Sequence, residues 1–372
     1  MSKISLILLG AGESSRFNVP PKKQWMRVGD EPLWLFVAKS FLKFDFQKII
    51  ITSNLEELNY MRKFANFTFV EGGSSRQESL KNAMREVDSK FVMVSDIARA
   101  KISENTILQL IAKKKQSDII VPYVKPVDTV VYEDETIDRD RVKLIQTPQI
   151  SKSKILRRAL KQSEIFTDDS SAIKAIGGSC SYILGDNNAF KITYLTDFKK
   201  LNLLKPKANT FSGAGFDVHP FIKGDGVILG GVKIKSKFKF KAHSDGDVLI
   251  HALIDSILGA IGAGDIGELF PDTNPKYKDI DSTVLLEKVV SFITKVGFEI
   301  VNVDITIIAQ TPKVSPYKMK IREILSRILK IAVVRVNIKA TTTEKKGFVG
   351  REEAVAVHAV ANLKYFDWKK NK

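Results

Sequence analysis

One cysteine, Cys180, stands among 372 residues, so no internal disulfide can form and no cysteine-rich metal cluster can be built. That scarcity agrees with a reducing compartment, and the expected location is the cytoplasm. No apolar run reaches the roughly 18 residues that a spanning helix requires. The opening Met1-Ser2-Lys3-Ile4-Ser5-Leu6-Ile7-Leu8-Leu9 runs into a glycine turn without a cleavage signal, so neither a membrane partner nor export is expected. Internal repeats and low-complexity segments are missing, and so are the Walker pattern, the dinucleotide fingerprint and any nucleic-acid recognition motif. With 44% hydrophobic and 27% charged residues the composition is that of a globular protein, long enough for two domains at roughly 150 residues each.

Acid is also in short supply. Against 59 Lys and Arg stand 42 Asp and Glu, a net charge of +17. Such an excess suits nucleic acid, an anionic membrane surface or phosphorylated small molecules. Lysines scattered along the whole chain favour phosphorylated substrates over nucleic acid, although a basic nucleic-acid-binding protein with a structural zinc stays as an alternative.

Histidine is scarce, but not evenly so. Of four, three fall in one stretch: Asp217-Val218-His219, then His243-Ser244-Asp245-Gly246-Asp247-Val248-Leu249-Ile250-His251. Asp-x-His on an extended segment points both side chains to one face, and a third ligand from a helix can close a tetrahedron with one position open, as a catalytic zinc needs. Three unrelated polar histidines are the plainer alternative. Asp247 and Asp255 lie one helical turn to either side of His251, placed to orient its imidazole or to cap solvent.

From Ile4 to about Val124, strand patterns at Ile4 to Leu9, Ile49 to Thr52, Phe67 to Val70, Phe91 to Ser95 and Ile119 to Val121 alternate with helical ones at Leu55 to Ala65, Gln77 to Val87 and Glu104 to Lys115. An α/β fold with a mostly parallel sheet, helices on both faces and ligands at the carboxyl ends of the strands is expected. The pattern breaks around Lys199 to Thr210, at Pro206, which sets domains of 1–208 and 209–372. The second half reads as a compact α/β unit. Its helices are expected from Asp245 to about Gly262, capped by Ser244 or Asp245, from Ser282 to Val296 and from about Tyr317 to Leu329, with strands at Val301 to Ile308, Val334 to Ala340 and Ala354 to Leu363.

After the first strand come Gly10-Ala11-Gly12-Glu13-Ser14-Ser15-Arg16-Phe17 and Pro20-Pro21-Lys22-Lys23-Gln24-Trp25. Glycines such as Gly12 let backbone approach phosphate oxygens, and Arg16 and Lys23 would offset triphosphate charge. Alone, the turn reads equally as a structural loop. It is joined by Gly72-Gly73-Ser74-Ser75-Arg76-Gln77-Glu78-Ser79, Ser95-Asp96-Ile97-Ala98-Arg99, Thr147-Pro148-Gln149 and Thr167-Asp168-Asp169. In this order, residues 1 to about 205 resemble the 2-C-methyl-D-erythritol 4-phosphate cytidylyltransferase family.

That resemblance implies a Rossmann-like nucleotidyltransferase domain, CTP with Mg²⁺, attack of methylerythritol phosphate on the α-phosphate, and loss of pyrophosphate. It implies that Arg16 and Lys23 stabilise the five-coordinate phosphorus, with Lys22 a rival because the family's Pro-Lys-Gln has one extra lysine here. Gly73, Ser74 and Ser79 would read the cytosine, and Asp96 would lie near ribose and Mg²⁺, although it also reads as a strand-end cap. Arg99, Arg158, Thr167 and Lys191 would hold methylerythritol phosphate, with Arg158 and Lys191 aiming its phosphate. Ser14, Ser95 and Ala100 depart from a glycine, a histidine and a proline common in the family.

Phe216-Asp217-Val218-His219, Ala242-His243-Ser244-Asp245-Gly246-Asp247, Gly264-Asp265-Ile266-Gly267-Glu268-Leu269-Phe270-Pro271-Asp272-Thr273 and Lys339-Ala340-Thr341-Thr342-Thr343-Glu344 together resemble the 2-C-methyl-D-erythritol 2,4-cyclodiphosphate synthase family from about Phe211 onward. The resemblance implies Zn²⁺ or a similar divalent ion on Asp217, His219 and His251, and a Mg²⁺ at Glu344. The substrate would be CDP-methylerythritol 2-phosphate, cyclised with release of CMP. His243 and Thr342 would steady the transition state, while Ser244, Asp265, Gly267, Phe270, Asp272 and Thr341 line the substrate. The loop Ala309 to Lys313 would hold the cytosine, and Phe348 and Arg351 the terpenoid-phosphate end. His358 stands where the family commonly has an acid, and as a lone histidine in an apolar strand it also reads as core. Together the resemblances imply a bifunctional enzyme, with the second domain trimeric, its site shared between neighbours, and the first paired, giving a hexamer. An inert first domain serving as scaffold to an active cyclase is the alternative.

Overall fold

Ile4–Leu9 (β1) is buried along its whole length, as a strand covered on both faces must be. It pairs in parallel with Lys48–Ser53 (β2) and with Phe91–Asp96 (β4), and β2 pairs in parallel with Thr68–Glu71 (β3). Beyond β4 the direction changes. Gln149–Lys152 (β7) runs antiparallel to β4 and to Ile119–Val124 (β5), and β5 also pairs with antiparallel Leu144–Ile145 (β6) and parallel Cys180–Leu184 (β8). Ile7 and Leu9 share a core with Leu80, Ala83 and Met84 of Arg76–Met84 (α3) and with Leu156, Ala172 and Ile173. Leu6 and Leu8 point the opposite way and are equally buried, so both faces are covered.

The computed structural model describes residues 4–242, 245–271 and 280–370, so three expected site residues, His243, Ser244 and Asp272, lie outside the described residues. Residues up to Lys205 together with those from Trp368 onward form one compact unit, and Pro206–Asp367 the other. In the first unit the expected strands and helices stand within a few residues of their expected ends, Leu55–Arg62 (α2) and Glu104–Lys113 (α4) as well as α3, and Leu33–Ser40 (α1) precedes them. Side-chain caps fix two of these starts: Ser75 accepts from the Glu78 amide and Ser103 from the Thr106 amide. Ser153–Ala159 (α5), Asp169–Ala175 (α6) and Leu195–Lys200 (α7) fall in a stretch where no apolar period is long enough to set an expectation.

The second unit is built on a five-stranded sheet in the order Phe238–Phe240 (β10), Thr210–Lys223 (β9), Ala354–Tyr365 (β13), Phe298–Ile308 (β11) and Val336–Thr341 (β12). Val248–Ala260 (α8) packs on one face and is buried on nearly every side, the pattern of a central helix. Its approach to β9 is set by glycine: a Cβ at Gly215 would lie 2.0 Å from the Ala252 carbonyl oxygen, and one at Gly213 2.1 Å from that of Ser256. Bare backbone on β9 therefore lets α8 lie against it, which brings His251 beside Asp217, two residues beyond Gly215.

The start of α8 differs from expectation. Its cap is Asp247, not Ser244 or Asp245, because the Asp247 carboxylate accepts from the amides of Ile250, Gly230 and Gly231 together. Asp245 is used elsewhere, as shown below. Gly215→Ala is expected to lower the urea midpoint by the equivalent of about 1–3 kcal/mol of overpacking. Gly259→Ala, whose added Cβ would meet only the Ala214 oxygen at 3.9 Å, leaves the midpoint unchanged or raises it.

Candidate active sites

At the carboxyl ends of β1 to β4 a cleft of about 470 Å³ is lined by residues 10–16 and 73–76 with Lys23, Gln24, Ser79, Asp96 and Lys191. Gly10 is required by close approach: its amide donates to Thr52 Oγ1, and a Cβ would lie 2.3 Å from Ile97 Cδ1. Ser14 sits at φ 58°, a conformation that favours glycine. Its hydroxyl accepts from the Lys23 amide at 3.1 Å, so the serine that replaces a glycine ties the glycine turn to the lysine turn. Across the cleft, the Gly73 amide donates to Ser79 Oγ, and the Ser74 amide and hydroxyl both donate to Glu78 Oε2.

The two adjacent lysines have different surroundings. Lys22 is buried, 2.8 Å from Glu57 Oε1 and 3.0 Å from Glu13 Oε1, while Glu57 Oε2 accepts from Trp25 Nε1, Ser53 Oγ and Gln24 Nε2. Burial opposes the Lys22 charge, but Glu57 and Glu13 outweigh it and raise its pKa. Breaking a buried pair by removing one partner costs about 3–5 kcal/mol, so Lys22 is an anchor. Lys23, next in sequence, lines the cleft with its Nζ 5.6 Å from the Phe17 ring centroid. Burial, then Lys191 and Arg16, push its pKa down to about 8.

Asp96, at the end of β4, accepts from Lys191 Nζ at 2.9 Å and lies 3.7 Å from Arg76 Nε. Burial disfavours its charge, yet Arg76 and Lys191 more than offset that, and its pKa is lowered. Arg76 also pairs with buried Asp169 at 2.7 Å; burial works against its charge, but Asp169 and Asp96 prevail. Sequence reasoning assigned Arg76 no role, although it stands inside the Gly72 to Ser79 motif. The cleft gathers Gly12, Arg16, Lys23, Gly73, Ser74, Ser79, Asp96 and Lys191. Three expected residues are not in its lining: Arg99 is buried and donates to the Ala189 carbonyl, while Arg158 and Thr167 are exposed.

In the second unit, Asp217 Oδ2 lies 3.0 Å from His219 Nε2 and 3.4 Å from His251 Nδ1. All three ligand atoms fall within 4.8 Å of one another. The opposite ring nitrogens set which way each imidazole faces. His219 Nδ1 is 2.8 Å from the Gly246 carbonyl, which only accepts, so Nδ1 carries a proton and Nε2 faces Asp217; burial opposes charge on this ring, but Asp217 and the Gly246 carbonyl outweigh it and raise the His219 pKa. His251 Nε2 is 3.1 Å from Ser282 Oγ, and that hydroxyl donates its one proton to Asp245 Oδ1 at 2.5 Å. His251 therefore donates from Nε2 and turns Nδ1 toward Asp217.

A carboxylate and two imidazole nitrogens thus converge, a set that, with those nitrogens deprotonated, fits a divalent metal with room for a further ligand. Burial opposes charge on Asp217, but hydrogen bonds from His219 and His251 hold its pKa far below the usual range. Ser282, with Asp245 behind it, is the orienting partner that sequence reasoning missed, since 31 residues separate it from His251 and no period links them. Asp247 serves the turn and helix start instead, and Asp255 accepts from the Ile266 amide.

A second cluster forms at the far edge of the same sheet. The Ala309 amide donates to the Thr341 carbonyl, and Thr342 Oγ1 donates to Glu344 Oε1 at 3.0 Å. Strand register aligns Asp217 with Val357, Val357 with Ile307, and Ile307 with Ala340. Three strand spacings of about 4.8 Å put roughly 14 Å between Asp217 and this edge. Lys313 and Phe348 are exposed, as is Arg351, which is bidentate with Glu353. Asp265 caps the turn Ile266–Leu269 through the Glu268 amide, Gly267 is exposed on it, and Phe270 is buried. His358 is not core: it is exposed on the sheet face opposite α8, between Phe216 and Thr306.

The description 2-C-methyl-D-erythritol 4-phosphate cytidylyltransferase matches residues 4–204, and the YgbB family matches residues 211–364. A protein named bifunctional enzyme IspD/IspF from Campylobacter fetus subsp. fetus is 54% identical over 371 residues, 99% of each chain. Its namesake from Sulfurimonas denitrificans is 56% identical over 369 residues, 99% of this chain and 96% of the relative. The solved structure of the bifunctional IspDF from Campylobacter jejuni superposes with a TM-score of 0.86 at 48% identity, covering 99% of this chain and 100% of that one. Ser282→Ala is expected to weaken divalent-metal binding 10- to 100-fold, the usual effect of losing such an orienting partner, with an unchanged circular dichroism spectrum. Metal titration of purified protein measures it.

Proposed function

The chain belongs to the bifunctional IspD/IspF family, and on that premise we propose how its own residues carry the two reactions. The enzyme works in the methylerythritol phosphate route to isoprenoids. As a cytidylyltransferase it joins CTP to 2-C-methyl-D-erythritol 4-phosphate with release of pyrophosphate. As a cyclodiphosphate synthase it closes 2-phosphorylated CDP-methylerythritol to the 2,4-cyclodiphosphate with release of CMP. We assign the first activity to residues 1–208, whose compact unit also takes in the residues from Trp368 onward, and the second to the rest of 209–372.

In the first unit, two anions must be brought together, so position and positive charge carry most of the rate. Arg16 and Lys23 face the triphosphate, Gly12 gives its backbone room, and Gly73, Ser74 and Ser79 receive the cytosine. Lys191 reaches the methylerythritol phosphate from beside Asp96, whose carboxylate is the one we assign to Mg²⁺ carried in with CTP. Arg158 and Thr167, outside this cleft, fit an approach from a second copy of the chain. The exposed hairpin Val130–Tyr132 and Glu135–Ile137, with Val131 and Tyr132 bared, supports pairing of first units.

In the second unit, the observation that carries the reading is the convergence of Asp217, His219 and His251 on one centre. A Zn²⁺ bound there would polarise a diphosphate oxygen as a Lewis acid. Ser282 and the Gly246 carbonyl hold both imidazoles aimed at that centre. Thr342 and Glu344, the latter the carboxylate that would hold Mg²⁺, stand about 14 Å across the sheet from that centre, so each set would be completed by a neighbouring copy. This supports a trimer of second units within a hexamer, packed through the sheet face that bears Phe216 and His358. Among the described residues no helix is long and apolar enough to cross a membrane. With CTP as substrate and Cys180 unpaired by disulfide, we place the enzyme in the cytoplasm, with no nucleic-acid partner.

With CTP and methylerythritol phosphate the protein is expected to release pyrophosphate, and with the phosphorylated cytidylyl intermediate, CMP. Lys23→Ala should cut the first by about 10²–10³-fold and leave the second. His251→Ala should lose bound metal and CMP release while keeping the first; undiminished cyclisation in that variant would end the metal assignment. Lys23 is a cation below its pKa of about 8 and neutral above it. The kcat/KM of cytidylyl transfer should therefore fall as pH rises through about 8, and Lys191→Met, by removing a neighbouring cation, should shift that decline to higher pH.

A further inference from the structure

Arg16 and Lys23 ride on one irregular segment, residues 14–28, which has no long helix or strand to stiffen it. Beside the contacts of Lys22, Gln24 and Trp25 with Glu57, two more hold it near its ends. Near its start, Phe17 is buried and packs edge-on against Phe198 of α7, centroids 6.4 Å apart, with Lys23 Nζ over the same Phe17 ring. Near its end, the Arg27 carbonyl accepts a hydrogen bond of 2.7 Å from the indole of Trp368. Trp368 is buried, and its ring meets Phe198 edge-on at 4.7 Å. One side chain from beyond the second unit's last strand therefore supports both ends of the segment, through Phe198 at one and directly at the other.

Trp368 belongs to the first unit although 341 residues separate it from Arg27, and the chain reaches it only after completing Pro206–Asp367. We infer that Trp368 is a positioning residue of the cytidylyltransferase centre, holding the segment that presents Arg16 and Lys23 to the triphosphate. Loss of the indole removes the backing of Phe17 and frees the Arg27 carbonyl, so the two cations drift from the geometry that transition-state stabilisation demands. Misplacement of about 1 Å in such a site is enough for a rate loss near 10²-fold. The inference rests on the assignment of Arg16 and Lys23 to the triphosphate.

Both activities are measured on the same full-length preparations of wild type, Trp368→Ala, Trp368→Phe and Lys23→Ala. Trp368→Ala should lower kcat for pyrophosphate release by about 10- to 100-fold, with KM for CTP little changed and CMP release retained as an internal control of folding. Trp368→Phe, which keeps a ring against Phe198 but has no N–H for Arg27, should recover most of the lost kcat. Full cytidylyl transfer in Trp368→Ala overturns the inference. So does a parallel loss of both activities, or an equal loss in the alanine and phenylalanine variants. If Lys23→Ala keeps full activity, the assignment of Lys23 fails instead, which separates the two readings.

Discussion

The Asp217 carboxylate, shared by two imidazoles, is the interaction on which the second unit turns. It exists only because α8 lies directly on β9, and that contact depends on Gly213 and Gly215 having no side chains. A methyl group at either would drive helix and strand apart, and His251 would leave with the helix. The convergence of these three ligand atoms is thus a packing result as much as a chemical one. The aim of both imidazoles comes from packing too, since Gly246 and Ser282 are placed by the turn before α8 and by the start of Ser282–Lys295.

Charge organises the first unit. Arg16, Lys23, Arg76 and Lys191 crowd one cleft, and burial first, then the like charges of Lys191 and Arg16, depress the pKa of Lys23. Asp96 and Asp169 keep the cluster together, with Arg76 between them. A triphosphate bound there, as we propose, would relieve the repulsion among those cations, and part of its binding energy would come from that relief. Placing Lys22 against Glu57 keeps a second lysine out of the cluster and fastens the loop at the same time.

The two units also differ in what is enclosed within one chain. The nucleotide cleft is nearly complete within the first, whereas the second presents its metal ligands and its Thr342–Glu344 edge at opposite sides of a sheet. Rigid strands cannot fold back to join them, which is why we propose that neighbouring copies complete the second site; covalent fusion of the units does not join those two sets.

Much of this was legible in the residues themselves. Alternation of apolar runs marked the parallel core from β1 to β5, since a strand buried on both faces has to be continuously apolar. Asp217-x-His219 declared its chemistry because strand geometry places alternate residues on one side. The sequence could not choose between Lys22 and Lys23, identify Asp247 as the cap of α8, pair Ser282 with His251, or bring Trp368 under Arg27. Period and propensity act over a few residues, while each of those facts depends on which distant atoms share a buried volume. Local order was written in the chain, and the partners of buried polar groups were settled only when tertiary packing closed around them.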